Sequence, residues 1–108
     1  MTRRYRSIWY IERDGIPVAA TMQEAAASHR AHVADERAGL YRVSTVFLDI
    51  DHNVYDDGPP ILYETMLFGD GPDDNWCQRY VTRTEAAAGH AAVIASLLAT
   101  GRPEGSPA

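Results

Sequence analysis

A chain of 108 residues, 45% of them hydrophobic, holds one domain with a modest core, and that composition excludes a wholly disordered protein. Its net charge of −5 argues against a broad nucleic-acid footprint, and its one cysteine excludes an internal disulfide and a cysteine-built zinc site within one chain. No apolar stretch approaches the roughly 20 residues of a membrane span, and the N-terminus lacks the unbroken apolar core of a signal peptide, so a cytoplasmic protein with no membrane partner is expected.

In chain order, Arg3, Arg4 and Arg6 form a small basic cluster that reads as a solvated end. Tyr5 to Glu12, aromatic and β-branched, reads as a strand. Asp14-Gly15 supplies the positive φ angles of a tight turn, and Ile16-Pro17-Val18 makes a return arm that Pro17 confines to an edge. Thr21 and Glu24 have capping-box spacing and open a short helix from Met22 to about His29. His32 to Glu36 and Tyr41 to Ile50 read as two strands joined through Gly39. Alternation in the second puts Val43, Thr45, Phe47 and Asp49 on one face and Ser44, Val46, Leu48 and Ile50 on the other, which suits a central strand covered at least partly on both sides.

An acidic loop follows, then strands over Ile61 to Phe68 and Trp76 to Thr82, separated by a turn region rich in glycine and aspartate. The links are too short for parallel crossovers, so the strands form an antiparallel meander. Thr82 and Glu85 repeat the capping-box pattern and open the strongest helix, Arg83 to about Ala99. Ala86, His90, Val93 and Leu97 share one face of it, flanked by Ile94 and Leu98. The expected fold is α+β: about four antiparallel strands with the C-terminal helix across one face, and the N-terminal hairpin and short helix over part of the other. Residues 1–100 make a single domain, and the polar, proline-rich residues 101–108 read as a disordered tail.

Four segments, "VSTVFLDIDHN", "GPPILYETMLFG", "CQRY" and "EAAAGH", give the chain a family likeness. It resembles a family of small uncharacterised proteins encoded by actinobacterial phages and prophages. The matching residues are Val43 to Leu48, Asp51, His52, Gly58 to Pro60, Glu64 to Met66, Phe68, Gly69, Arg79, Tyr80, Gly89 and His90, within a likeness that spans roughly residues 31–95. His32 to Ala34 and Gly39 keep the spacing upstream. Asp49 stands where the family pattern has glycine, and residues 22–31 lack the tryptophan-rich helix the pattern includes. The resemblance implies a phage or prophage origin, and with it the host cytoplasm. It implies no reaction.

The residues that look most like chemistry are Asp49, Asp51 and His52 at the end of the best strand, with Asp56 and Asp57 nearby. Carboxylates at this density suit magnesium or calcium, but the spacing is not that of an EF-hand. The plainer reading is a loop whose Asp and Asn side chains satisfy local backbone N–H groups. Glu64 lies mid-strand among apolar residues and needs a partner, which Arg79 or Arg42 can supply. His90 on the apolar helix face reads as a core histidine donating to a backbone carbonyl. Cys77 matches no nucleophile motif and reads as a buried thiol. No phosphate loop or nucleotide fingerprint occurs, and no cofactor is expected.

Three functional classes follow. The first is a non-catalytic binding protein with Asp51, His52, Glu64, Arg79 and His90 as candidate binding residues. Its partner would be a host protein, a second copy or a small ligand, and its acidic loops would suit a basic surface. If the second sheet face is left bare around Val43, Phe47, Tyr63 and Leu67, that patch is where the partner docks. The alternative is a small metal-dependent enzyme using Asp51, His52, Glu64 and His90. A structural virion protein is a third class.

Overall fold

The computed structural model describes residues 8–28, 32–53 and 58–104. The basic cluster at Arg3, Arg4 and Arg6, the acidic pair Asp56-Asp57 and the last four residues of the expected tail lie outside these. Strands β1 (Trp9–Arg13) and β2 (Ile16–Ala20) form an antiparallel hairpin. Asp14 and Gly15 both have positive φ, 51° and 78°, the geometry whose twist matches that of the flanking strands. Helix α1 (Met22–Ala27) starts at the expected capping box: Thr21 Oγ1 accepts the Glu24 N–H at 3.1 Å, and Glu24 Oε1 accepts the Thr21 N–H at 2.9 Å. The Thr21 backbone N–H, with its hydroxyl, holds the Glu24 carboxyl below its ordinary pKa.

The main sheet is the expected meander. Strands β3 (His32–Ala38), β4 (Tyr41–Phe47), β5 (Tyr63–Gly69) and β6 (Cys77–Tyr80) lie side by side in that order, each antiparallel to the next. Gly39, at φ 58°, begins the two-residue turn between Ala38 and Tyr41. An irregularity between His32 and Ala34 leaves Val33 as an extra residue in β3, and Val33 packs into the core around Phe47 and Tyr63.

Helix α2 (Arg83–Thr100) also starts at its expected box and ends at Gly101, whose φ is 79° and whose N–H bonds the Leu97 carbonyl at 2.8 Å. Ala86, His90, Val93 and Leu97 are its buried residues. They meet two groups on the sheet: Ala38, Tyr41, Val43 and Leu67 under the C-terminal half, and Phe47, Leu62, Tyr63 and Tyr80 under the N-terminal half. Gly89 lets the helix come down onto the Tyr80 ring, since a β-carbon there would overlap that ring. Leu98 does not flank this face; it is 71% exposed.

Two placements differ from the sequence expectation. Val43, Phe47, Tyr63 and Leu67 are buried, because they lie on the face that α2 covers. The hairpin shares that side: Tyr10 packs against the Phe47, Tyr63 and Ala86 group. Glu12 accepts from the Tyr63 hydroxyl and from Arg83 Nη1 at 2.8 Å, a nearly buried carboxylate tying hairpin, sheet and helix. The hairpin reaches this position because β1 bonds to the chain just beyond β4, Tyr10 N–H to the Asp49 carbonyl and Asp51 N–H to the Ile8 carbonyl, each at 2.9 Å. The opposite face of the main sheet carries Arg42, Val46, Glu64, Met66, Phe68, Cys77 and Arg79, of which Arg42, Phe68, Cys77 and Arg79 are exposed; Ser44 on the same face is buried.

The chain after α2 also behaves differently from its composition. Arg102 forms a bidentate pair with Asp73, at 2.8 and 2.9 Å, and Pro103 is buried. Residues 101–104 are thus attached to the β5–β6 loop. No helix among the described residues is long and apolar enough to cross a membrane.

Candidate functional site

Alternation along the strands decides which of the candidate residues can meet. Glu64 pairs with Arg79 across β5 and β6, Nε to Oε2 at 2.9 Å, on the uncovered face. Arg42, the other candidate partner, instead holds both oxygens of Asp35 and keeps that carboxyl below its ordinary pKa. Asp51 turns the chain beyond β4: its Oδ1 accepts the N–H groups of Asn53 at 2.8 Å and Ile61 at 3.0 Å. Asn53 caps the Pro59 carbonyl at 2.9 Å, and His52 Nδ1 donates to the Ile50 carbonyl at 2.7 Å. These contacts are those of a polar loop holding its own backbone.

His90 lies on the other side of the sheet. Its partners are side chains and not the backbone carbonyl expected for it. Nδ1 is 2.7 Å from Thr45 Oγ1, and Nε2 is 2.8 Å from Glu36 Oε1. Thr45 Oγ1 bonds Thr65 Oγ1, which accepts from the Tyr80 hydroxyl at 3.1 Å. A hydrogen-bonded chain thus crosses all four strands beneath α2, from Glu36 on β3 to Tyr80 on β6. Its centre is buried: Thr45 and Thr65 are wholly shielded and His90 is 3% exposed. Burial pushes the Tyr80 phenol above its ordinary pKa, partly offset by its bond to Thr65.

A carboxylate, an imidazole and a hydroxyl in sequence have the residue types of a nucleophilic triad. Here the hydroxyl has no exposed surface for a substrate to reach, and it is already engaged by Thr65. The arrangement satisfies buried polar groups, and no buried side-chain nitrogen or oxygen among the described residues lacks a partner.

Asp51, His52, Glu64 and His90 therefore do not converge. The sheet separates Glu64 from His90, and Asp51 and His52 are engaged in their loop. Among the described residues, no group of three or more His, Cys, Asp or Glu side chains is placed to hold a metal. The acidic turn after β5 is also built inward. Asp73 is 6% exposed and bound by Arg102, its N–H meets the Tyr41 hydroxyl at 2.9 Å, and Asp74 accepts the Gly69 N–H at 3.1 Å. Cys77 is exposed on the uncovered face, contrary to the expected buried thiol.

Sequence reasoning missed two surface features. One is the uncovered sheet face, where Val46 and Met66 are half-buried and Phe68 is 40% exposed between the Asp35–Arg42 and Glu64–Arg79 pairs. The other is a groove of about 230 Å³ between β6 and α2, lined by Gln78, Gly89, Ala92, Val93 and Glu104. The side of α2 that faces the sheet settles the first. The second needs the return of the chain after Thr100, which composition hides. No family model matches the chain, and no curated protein or solved structure compared with it does either.

Proposed function

We propose that the chain is a non-catalytic binding protein. One observation carries this reading: α2 packs on one face of the four-stranded sheet, while the other face keeps Phe68 exposed and Val46 and Met66 half-buried among two ion pairs. Apolar side chains rimmed by charge are the composition of a protein-docking surface. The engaged state of Asp51, His52, Glu64 and His90 weighs against the metal-enzyme alternative. The resemblance to actinobacteriophage proteins sets the partner in a host cell, as a component engaged during infection or lysogeny. Glu64 and Arg79 then orient that partner, and Phe68 supplies apolar area.

The test is capture from a lysate of an actinobacterial host with the wild-type chain and with Phe68→Glu. Phe68 is exposed and lies opposite Arg42, so the new carboxylate stands at the solvent surface beside a cation and is expected to leave the fold intact. The expected result is a protein retained by the wild type, lost with the variant, and bound directly when purified. Equal retention by both chains, or none by either, overturns the reading.

A further inference from the structure

The edge of the sheet beside α2 carries a more specific inference, which rests on the binding reading above and names a site and a ligand chemistry for it. Strand β6 is the last in the sheet order. The Leu67 N–H donates to the Trp76 carbonyl at 3.0 Å, and the Leu62 N–H to the Tyr80 carbonyl at 3.2 Å. Hydrogen-bonding residues alternate along an antiparallel strand, so Trp76, Gln78 and Tyr80 face β5. The N–H and C=O groups of Cys77 and Arg79 therefore point to the outer edge, where no described strand pairs with them. Cys77, Gln78 and Arg79 are all exposed. The other edge strand, β3, is guarded by its irregularity at Val33 and by Asp35 and Arg37, which are devices that discourage pairing.

The groove lies where an added strand would place a side chain. Gln78 is opposite Thr65, so its side chain is on the α2 side of the sheet. A residue opposite Gln78 on a new antiparallel strand projects to that same side, between β6 and α2. It would enter the groove lined by Gly89, Ala92 and Val93, with Glu104 at its rim. A volume of about 230 Å³ holds one long side chain. Small apolar walls suit an aliphatic stem, and the carboxylate suits a positive head group. The net charge of −5 favours a basic ligand over an acidic one in the same sense.

We propose that the β6–α2 groove binds an extended peptide segment of a partner protein by strand addition, with a lysine or arginine side chain seated opposite Gln78 against Glu104. The backbone of Cys77 and Arg79 supplies the hydrogen bonds, and the groove selects the residue.

The experiment titrates acetyl-Thr-Val-Lys-Val-Thr-amide into the full chain. It follows amide shifts and amide hydrogen exchange by NMR, with a central-glutamate peptide as control. The lysine peptide should shift the groove residues and slow exchange at the Cys77 and Arg79 amides, and the glutamate peptide should do neither. Ala92→Leu fills the groove from an exposed helix position and should abolish binding. Glu104→Lys should weaken it by about tenfold or more, as expected when an attractive charge is made repulsive. Absence of lysine-peptide binding overturns the proposal. So do shifts without slowed exchange at Cys77 and Arg79, or binding indifferent to both substitutions. Concentration-dependent protection of these amides in the free protein would assign the edge to a second copy and overturn it too. A Phe68-dependent partner that persists through any of these failures leaves the binding reading standing. Loss of that partner's dependence on Phe68 removes the reading and not the groove result.

Discussion

The two faces of the main sheet are made by the same four strands and obey different rules. Under α2, Val43, Leu67, Tyr63 and Tyr41 are shut away from water, and each polar group among them has a named partner. On the far face, Arg42, Phe68, Cys77 and Arg79 remain exposed, and each ion pair has an arginine about half in solvent. A buried polar group without a partner costs about 1–3 kcal/mol, whereas an exposed ion pair contributes about 0–1 kcal/mol. The covered face therefore sets more of the stability, and substitutions on the open face are expected to cost less. Residues that look like chemistry in the sequence divide along that line: His90 belongs to the covered face, Glu64 and Arg79 to the open one.

Substitution can break or sharpen this contrast, and the largest effect is expected at Gly89. Alanine favours helix by about 1 kcal/mol over glycine. Its β-carbon, though, would overlap the Tyr80 ring, which is held by Thr65 and buried. Gly89→Ala should lose about 2 kcal/mol or more, read by urea unfolding. A stabilised variant would mean that the helix does not sit down on the sheet there. His90→Ala should lose about 2–3 kcal/mol, from the cavity and the hydroxyl left short of a partner. His90→Gln should recover about half of that loss in the same unfolding series. Equal losses for the two would show that volume alone matters.

A smaller effect is set by pH. Burial first, and then the bond to Glu12, pushes the Tyr63 phenol well above its ordinary value of 10.0. Below about pH 10 the phenol is protonated in folded and unfolded chains alike, so its contribution is fully present. Above that, the unfolded chain releases the proton while the folded chain keeps it, so stability falls as pH rises. Tyr63→Phe should flatten the fall in melting temperature on the alkaline side, leaving the slope due to Tyr80, which is shifted in the same direction. An unchanged alkaline slope would remove Tyr63 from the account. The smallest effect belongs to the open face. Arg79→Ala should cost about 1 kcal/mol, since Arg79 is half exposed while Glu64 is largely covered, and moderate salt should reduce the difference. A loss above about 2 kcal/mol would place that pair in the core's economy after all.

Local rules made much of this fold legible. Thr21 with Glu24 and Thr82 with Glu85 marked both helix starts, Asp14-Gly15 and Gly39 marked both tight turns, and the run from Tyr41 to Phe47 marked the central strand. The Glu64–Arg79 pair was legible because neighbouring strands fix which residues face each other. The partners of His90 were not, since Glu36 and Thr45 lie 54 and 45 positions away and are reached only once α2 has docked. The hairpin is held on its side by Glu12, whose partners Tyr63 and Arg83 lie 51 and 71 positions away. The β6 groove depended on Arg102 finding Asp73. Each of these three involves a polar side chain pairing across the fold, where no periodicity carries a signal.

The hydroxyl row beneath α2 has one more consequence, for how the strands choose their alignment. If β4 slid two residues along β5, alternation would survive and oily side chains would still face inward. Thr45 would then lie beside Leu67 or Tyr63 in place of Thr65, and the hydroxyl bond that joins the two strands would be lost in a buried interior. Hydrophobic attraction alone tolerates such a slip. The ladder of Tyr80, Thr65, Thr45 and His90 does not, so it acts as a key that only one sliding position will turn.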